Sequence, residues 1–192
     1  MICLTGCARR NDAPGACRLP ARAKEPVPRF VHSSRVHYVQ RDKRWANEPI
    51  GGSGKPLRAV GCTLCCLSMA LHQQGIDLTP AELNRDLKKV DGFTSKGWLY
   101  WPAITQVTEG RVRAEIVWHP TLRDIDQALA AGNPVIVKVA PPPMIQHWVL
   151  LVGRDGREFL MKDPLDETWT VKPLSSLGSD ILAVRVVKRA AL

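Results

Sequence analysis

The run Gly61-Cys62-Thr63-Leu64-Cys65-Cys66-Leu67-Ser68-Met69-Ala70-Leu71 sets a cysteine where a glycine-bearing loop turns into an apolar helix. That position suits a nucleophilic thiol. Unpaired N–H groups of a first helical turn and the positive end of the helix dipole favour a thiolate. The same donors can receive an oxyanion. Three-and-four spacing puts Cys62, Cys65, Cys66 and Met69 on one helix face, where Cys65 and Cys66 read as small core residues. Cys62-x-x-Cys65 also admits a metal or redox reading. Zinc would need a second ligand pair or a neighbouring histidine, and the spacing offers neither. No metal or cofactor is therefore expected, while a thiol redox pair stays open.

A catalytic thiol needs a base, and position eliminates most of the five histidines. His72 lies ten residues along the same helix, about 15 Å from Cys62 at ~1.5 Å per residue. His119 sits in a loop before Pro120, and His32 and His37 lie in or near the N-terminal tail. His147 opens an apolar strand. From there to Asp163 the chain reads as a hairpin, and a three-residue loop Arg154-Asp155-Gly156 would pair Gly153 with Arg157. Counting back places His147 directly opposite Asp163 on one sheet face, whereas a two-residue loop would put them on opposite faces. A carboxylate beside an imidazole fixes its tautomer and supports its cation, which in turn stabilises a thiolate. Cys62, His147 and Asp163 are thus a candidate triad.

The elements that must position these residues follow from periodicity and caps. A short extended segment is expected at 36–42, then a flexible loop ending in Gly51-Gly52-Ser53-Gly54. Helices are expected from Cys62 to Gln74 with Gly75 as cap, from Thr79 with a Thr79/Glu82 capping box, over Trp98 to Trp101, and from Thr121 to Ala131. Strands are expected at Val112 to Trp118, Val135 to Val139, His147 to Val152, Glu158 to Lys162 and Leu182 to Val187. Helices come early and strands late, which indicates an α+β fold with a helical half packed on an antiparallel sheet.

Charge and composition narrow the partners. The formal net charge is +9, but residues 1–60 hold twelve Lys and Arg against four Asp and Glu, and residues 61–192 fifteen against fourteen. The body is neutral, without a basic stripe interleaved with aromatics, so nucleic acid is not expected as a partner. No apolar run approaches the eighteen or so residues of a spanning helix, so no integral membrane segment is expected. Residues 1–30, rich in Pro, Ala, Arg and Gly without apolar period, read as a disordered basic tail or linker, and 31–192 as the folded domain. Leu4-Thr5-Gly6-Cys7 resembles the cleavage box of bacterial lipoproteins but lacks the preceding apolar region. It is either a chance match or the trace of a start further upstream, which would make the protein exported or lipid-anchored rather than cytoplasmic.

Several motifs in order carry a resemblance. Gln40-x-Asp42-x-Arg44-Trp45-Ala46, Gly61-Cys62 before Ser68-Met69-Ala70-Leu71, Thr79-Pro80-x-x-Leu83-Asn84, Gly132-x-Pro134-Val135-Ile136, His147-Trp148-Val149 and Asp163-Pro164 resemble the papain-like cysteine peptidases of the bacteriocin-processing type. The resemblance covers roughly residues 36–188. It implies a papain-like fold with Cys62 as nucleophile, His147 as base and acid, Asp163 orienting the imidazole and Gln40 donating to the oxyanion. The family more often has small or hydroxyl residues at the positions of Cys65 and Cys66. The function it implies is hydrolysis of a peptide or amide bond in a peptide or protein substrate, through a thioester acyl-enzyme. An acyltransferase at the same site, or a silent module that binds peptide or cell wall, is the alternative.

Overall fold

The computed structural model describes residues 30–31, 35–144 and 146–190. The expected tail, with its Cys7 box, lies outside the described residues apart from Phe30, as does His32. Four helices come first: α1 (Leu57–Val60), α2 (Cys62–Gln73), α3 (Pro80–Lys89) and α4 (Ala103–Val107). Strand β2 (Val112–Val117), helix α5 (Leu122–Ala130) and strands β3 (Val135–Val139), β4 (His147–Asp155), β5 (Glu158–Lys162), β6 (Lys172–Pro173) and β7 (Ala183–Arg189) follow. A two-residue strand, β1 (Phe30–Val31), precedes them all. The sheet is antiparallel in the order β2-β7-β3-β4-β5-β6, and β1 adds to β4.

Both faces of the sheet are covered, which explains why β3 and β4 read as near-continuous apolar runs. Ile136, Leu150, Val152 and Val187 point into one core with α2, α3 and α4. Val135, Val137, Val149, Leu151, Val184 and Val186 point into a second core with Ile125 and Leu129 of α5. Every residue of α2 from Leu64 to Leu71 is buried, as befits a helix enclosed on all sides. Thr79 and Glu82 close the expected reciprocal box on α3, and Thr121 and Asp124 form a second one on α5. Gly75, just beyond α2, takes φ +77°, the left-handed conformation a helix stop requires.

Two expected elements are absent. Trp98 to Trp101 do not form a helix: Leu99 bridges to Phe93, Gly97 takes φ +78°, and helical structure resumes only after Pro102, which caps α4. Residues 36–42 form no strand either. The Gln40 amide donates to the Pro164 carbonyl, and Asp42 turns back onto the Val39 carbonyl, so no ladder is made.

Candidate active site

Cys62 is the first residue of α2 and is partly exposed. Gly61 permits the tight junction of α1 and α2: a Cβ there would stand 2.5 Å from the Leu57 carbonyl oxygen. The other two thiols of α2 are inert by position. Cys65 and Cys66 are fully buried, and burial pushes both thiols well above their ordinary range. Cys66 Sγ donates to the Trp148 carbonyl at 3.2 Å, tying α2 to β4. A redox pair needs a second reachable thiol, and Cys65 is not one.

His147 opens β4, opposite Val139 of β3, and is only 2% exposed. The β4–β5 hairpin differs from the expected one. Asp155 pairs with Glu158 across a two-residue loop, Gly156-Arg157, which in a regular ladder would throw His147 and Asp163 to opposite faces. A β-bulge at Val152, between the pairs Leu151↔Met161 and Gly153↔Leu160, restores the parity. Beyond it Leu150 pairs with Lys162, so the same register sets Asp163 opposite Val149, one diagonal step from His147 rather than directly across. The two side chains still meet: His147 Nε2 donates to Asp163 Oδ1 at 2.7 Å. That same oxygen accepts the Leu165 amide at 2.8 Å.

The charges follow from this geometry. Burial disfavours the imidazolium, yet the hydrogen bond to the Asp163 carboxylate and the nearby Cys62 sulfur outweigh it and raise His147 to about 9. Burial would also raise Asp163, but the His147 bond and charge dominate and hold its carboxyl below the usual range.

The loop before α1 closes the other side of Cys62. Gln40 is buried and lines the cleft with Cys62 and His147. Its Nε2 donates one hydrogen to the Arg58 carbonyl at 2.8 Å, and its Oε1 has no partner. The resembling residues around it are structural: Asp42 forms a forked ion pair with Arg44, and Trp45 Nε1 donates to the Val39 carbonyl. His37, set aside at the sequence level, stands behind the pair. Its Nε2 donates to the Asp163 carbonyl at 3.2 Å and its ring stacks on Trp169. Only proximity to the Gln40 loop could have flagged it. His72 pairs with Asp77 at the far end of α2.

These groups open into a cleft of about 850 Å³ between the α1–α2 junction, the Phe93–Trp101 loop and the ends of β3, β4 and β7. Among the described residues no cluster of His, Cys, Asp and Glu could hold a metal ion. No helix there is long and apolar enough to cross a membrane.

The sequence model of the Peptidase_C39 like family matches residues 36–176. The fold is similar to a crystal structure from Bacillus anthracis described as a C39-like peptidase, with TM-score 0.56 and 15% identity over 86% of this chain and 100% of that one. At that identity the likeness concerns the fold. Among curated proteins none matches the chain. Because the family match runs over well more than half of the sequence and the fold agrees with it, the chain belongs to the Peptidase_C39-like family of papain-like peptidases.

Proposed function

We propose that the protein is a cysteine peptidase or amidase in which Cys62 is the nucleophile, His147 the general base and acid, Asp163 the orienting carboxylate and Gln40 the oxyanion donor. The observation that carries the reading is the buried His147–Asp163 bond at 2.7 Å on an imidazole that lines the same cleft as Cys62. With Nε2 committed to Asp163, Nδ1 is the nitrogen that exchanges a proton with the thiol.

Cys62 thiolate attacks the substrate carbonyl, forming the C–S bond and a tetrahedral oxyanion. The second Nε2 hydrogen of Gln40 and the backbone N–H groups opening α2 are the donors suited to that oxyanion. As the C–N bond breaks, the His147 imidazolium protonates the leaving amine and leaves a thioester. Water then attacks the thioester, its proton goes to His147, and the acid departs as the thiolate is restored. Family membership supports peptide or protein as the substrate.

The test is digestion of a proteome-derived peptide mixture by wild type and by Cys62→Ala, with cut sites read by mass spectrometry. New termini from wild type alone, with a thioester adduct on Cys62 in quenched samples, are expected. Absence of cleavage alongside intact binding would favour the silent module instead.

A further inference from the structure

Every charged side chain lining the cleft is cationic. Arg41, Lys55, Arg58, Lys96, Lys138 and Arg185 face it, and no Asp or Glu does. Arg41, Lys55 and Arg58 come from the basic first sixty residues, whereas Lys96, Lys138 and Arg185 come from residues 61–192, which are close to neutral overall. Of the six, only Arg41 has an ion-pair partner among the described residues, Glu167 at 4.0 Å on the exposed surface.

Arg185 is the most informative. It lies on β7 opposite Ile136 of β3, on the sheet face that meets α2, where a strand-interior residue is normally apolar. Its guanidinium sits 5.2 Å and 5.5 Å from the ring centroids of Trp101 and Trp148. Nη1 donates to the Val184 carbonyl, while Nε is buried and without a partner. A half-buried guanidinium set against two indoles, with an unused donor and no carboxylate partner among the described residues, lacks an anion. Lys138 follows two residues after Ile136 on the same face of β3, beside Trp148 and Ala183, so the two cations share one wall of the cleft.

We propose that this cleft selects acidic peptide segments, with Arg185 and Lys138 receiving substrate Asp or Glu side chains next to the scissile bond. The assignment rests on the peptidase reading of the same cleft. A carboxylate completes the Arg185 donors in the planar, forked geometry that guanidinium favours, and the exposed Lys55 and Lys96 steer an anionic chain inward. RNA could also meet cations and tryptophans, but Cys62 and His147 at the same opening act on a carbonyl.

Two pools of acetylated, amidated decapeptides, matched in sequence except that one has Asp and Glu where the other has Asn and Gln, provide the probe. Retention is measured on immobilised full-length Cys62→Ala, and cleavage with the wild type. The acidic pool should be retained about fivefold better, and this preference should collapse in Arg185→Gln and Lys138→Gln backgrounds and at about 0.5 M salt. Should Arg185→Gln fail to fold, Lys138→Gln on the cleft wall decides. Equal retention of the pools, or a preference that survives both substitutions, overturns the assignment. So does displacement of the acidic pool by single-stranded RNA more readily than by polyglutamate. Acidic retention without any cleavage by wild type would sink the peptidase reading alone, and cleavage without acidic preference would sink this assignment alone.

Discussion

His147 is cationic by construction, which gives the site a defined alkaline limit. An imidazole at about 9, above its ordinary value, holds its proton across neutral pH. Its charge contributes stability that is complete below about pH 6.5 and is lost as pH rises through about 9. Amidase activity should therefore fall through the same region, because the leaving amine then lacks its acid. Asp163→Asn keeps a hydrogen-bond acceptor but removes the charge, so the alkaline limb of the kcat/KM profile should move down by roughly a pH unit or more, along with a large fall in rate. An unmoved limb would show that Asp163 does not govern the imidazole. The role proposed for Gln40 is narrower. Gln40→Ala should lower kcat about 10²- to 10³-fold with KM little changed, as for loss of one oxyanion donor. Steady-state kinetics on any cleaved peptide checks this. Residue type and order made Cys62, His147 and Asp163 candidates, and the fold brings His147 against Asp163 and onto the cleft that Cys62 lines. His37 and Arg185 stayed hidden, since a histidine beside a tail and an arginine in a strand carry no local signal of what the fold sets against them.

At the level of elements, the site depends on how α2 and the β4–β5 hairpin meet. Helices were legible where a cap announced them, as at Thr79/Glu82, Thr121 and Gly75. The helix expected over Trp98 to Trp101 does not form, and Trp98 and Tyr100 are exposed along the loop beside the cleft. β1 and β6, two residues each, are too short to show a period. The hairpin is the sharper lesson. A bulge and a two-residue loop together yield the same parity as the expected three-residue loop, so His147 and Asp163 share a face although the pairing that predicted it does not exist. Neither feature could be counted from sequence, because Val152 looks like any other strand valine. α3, in contrast, is capped away from the cleft. Thr79→Ala should cost about 1 kcal/mol in urea unfolding and leave Cys62 reactivity unchanged. A change in reactivity would mean that α3 is coupled to the site.

Across the whole molecule, helices before and strands after enclose two cores, and the cleft opens where α2 meets the ends of β3, β4 and β7. That division was readable because hydrophobic period changes from helical to alternating after residue 111. The electrostatics were not: of the six cleft cations, Arg41, Lys55 and Arg58 belong to the basic first sixty residues and Lys96, Lys138 and Arg185 to the near-neutral remainder, and they converge only on folding. The proposed nucleophile and base likewise arrive from opposite halves, Cys62 from the helices and His147 from the sheet, so an active thiol would report on the assembled fold. The most direct measurement is the rate of Cys62 alkylation by iodoacetamide at about pH 6, read by mass spectrometry in wild type, His147→Ala and Asp163→Asn. Labelling much faster than that of a free cysteine, lost in His147→Ala and reduced in Asp163→Asn, is the predicted result. Labelling of wild type no faster than free cysteine, or undiminished without His147, would contradict the account.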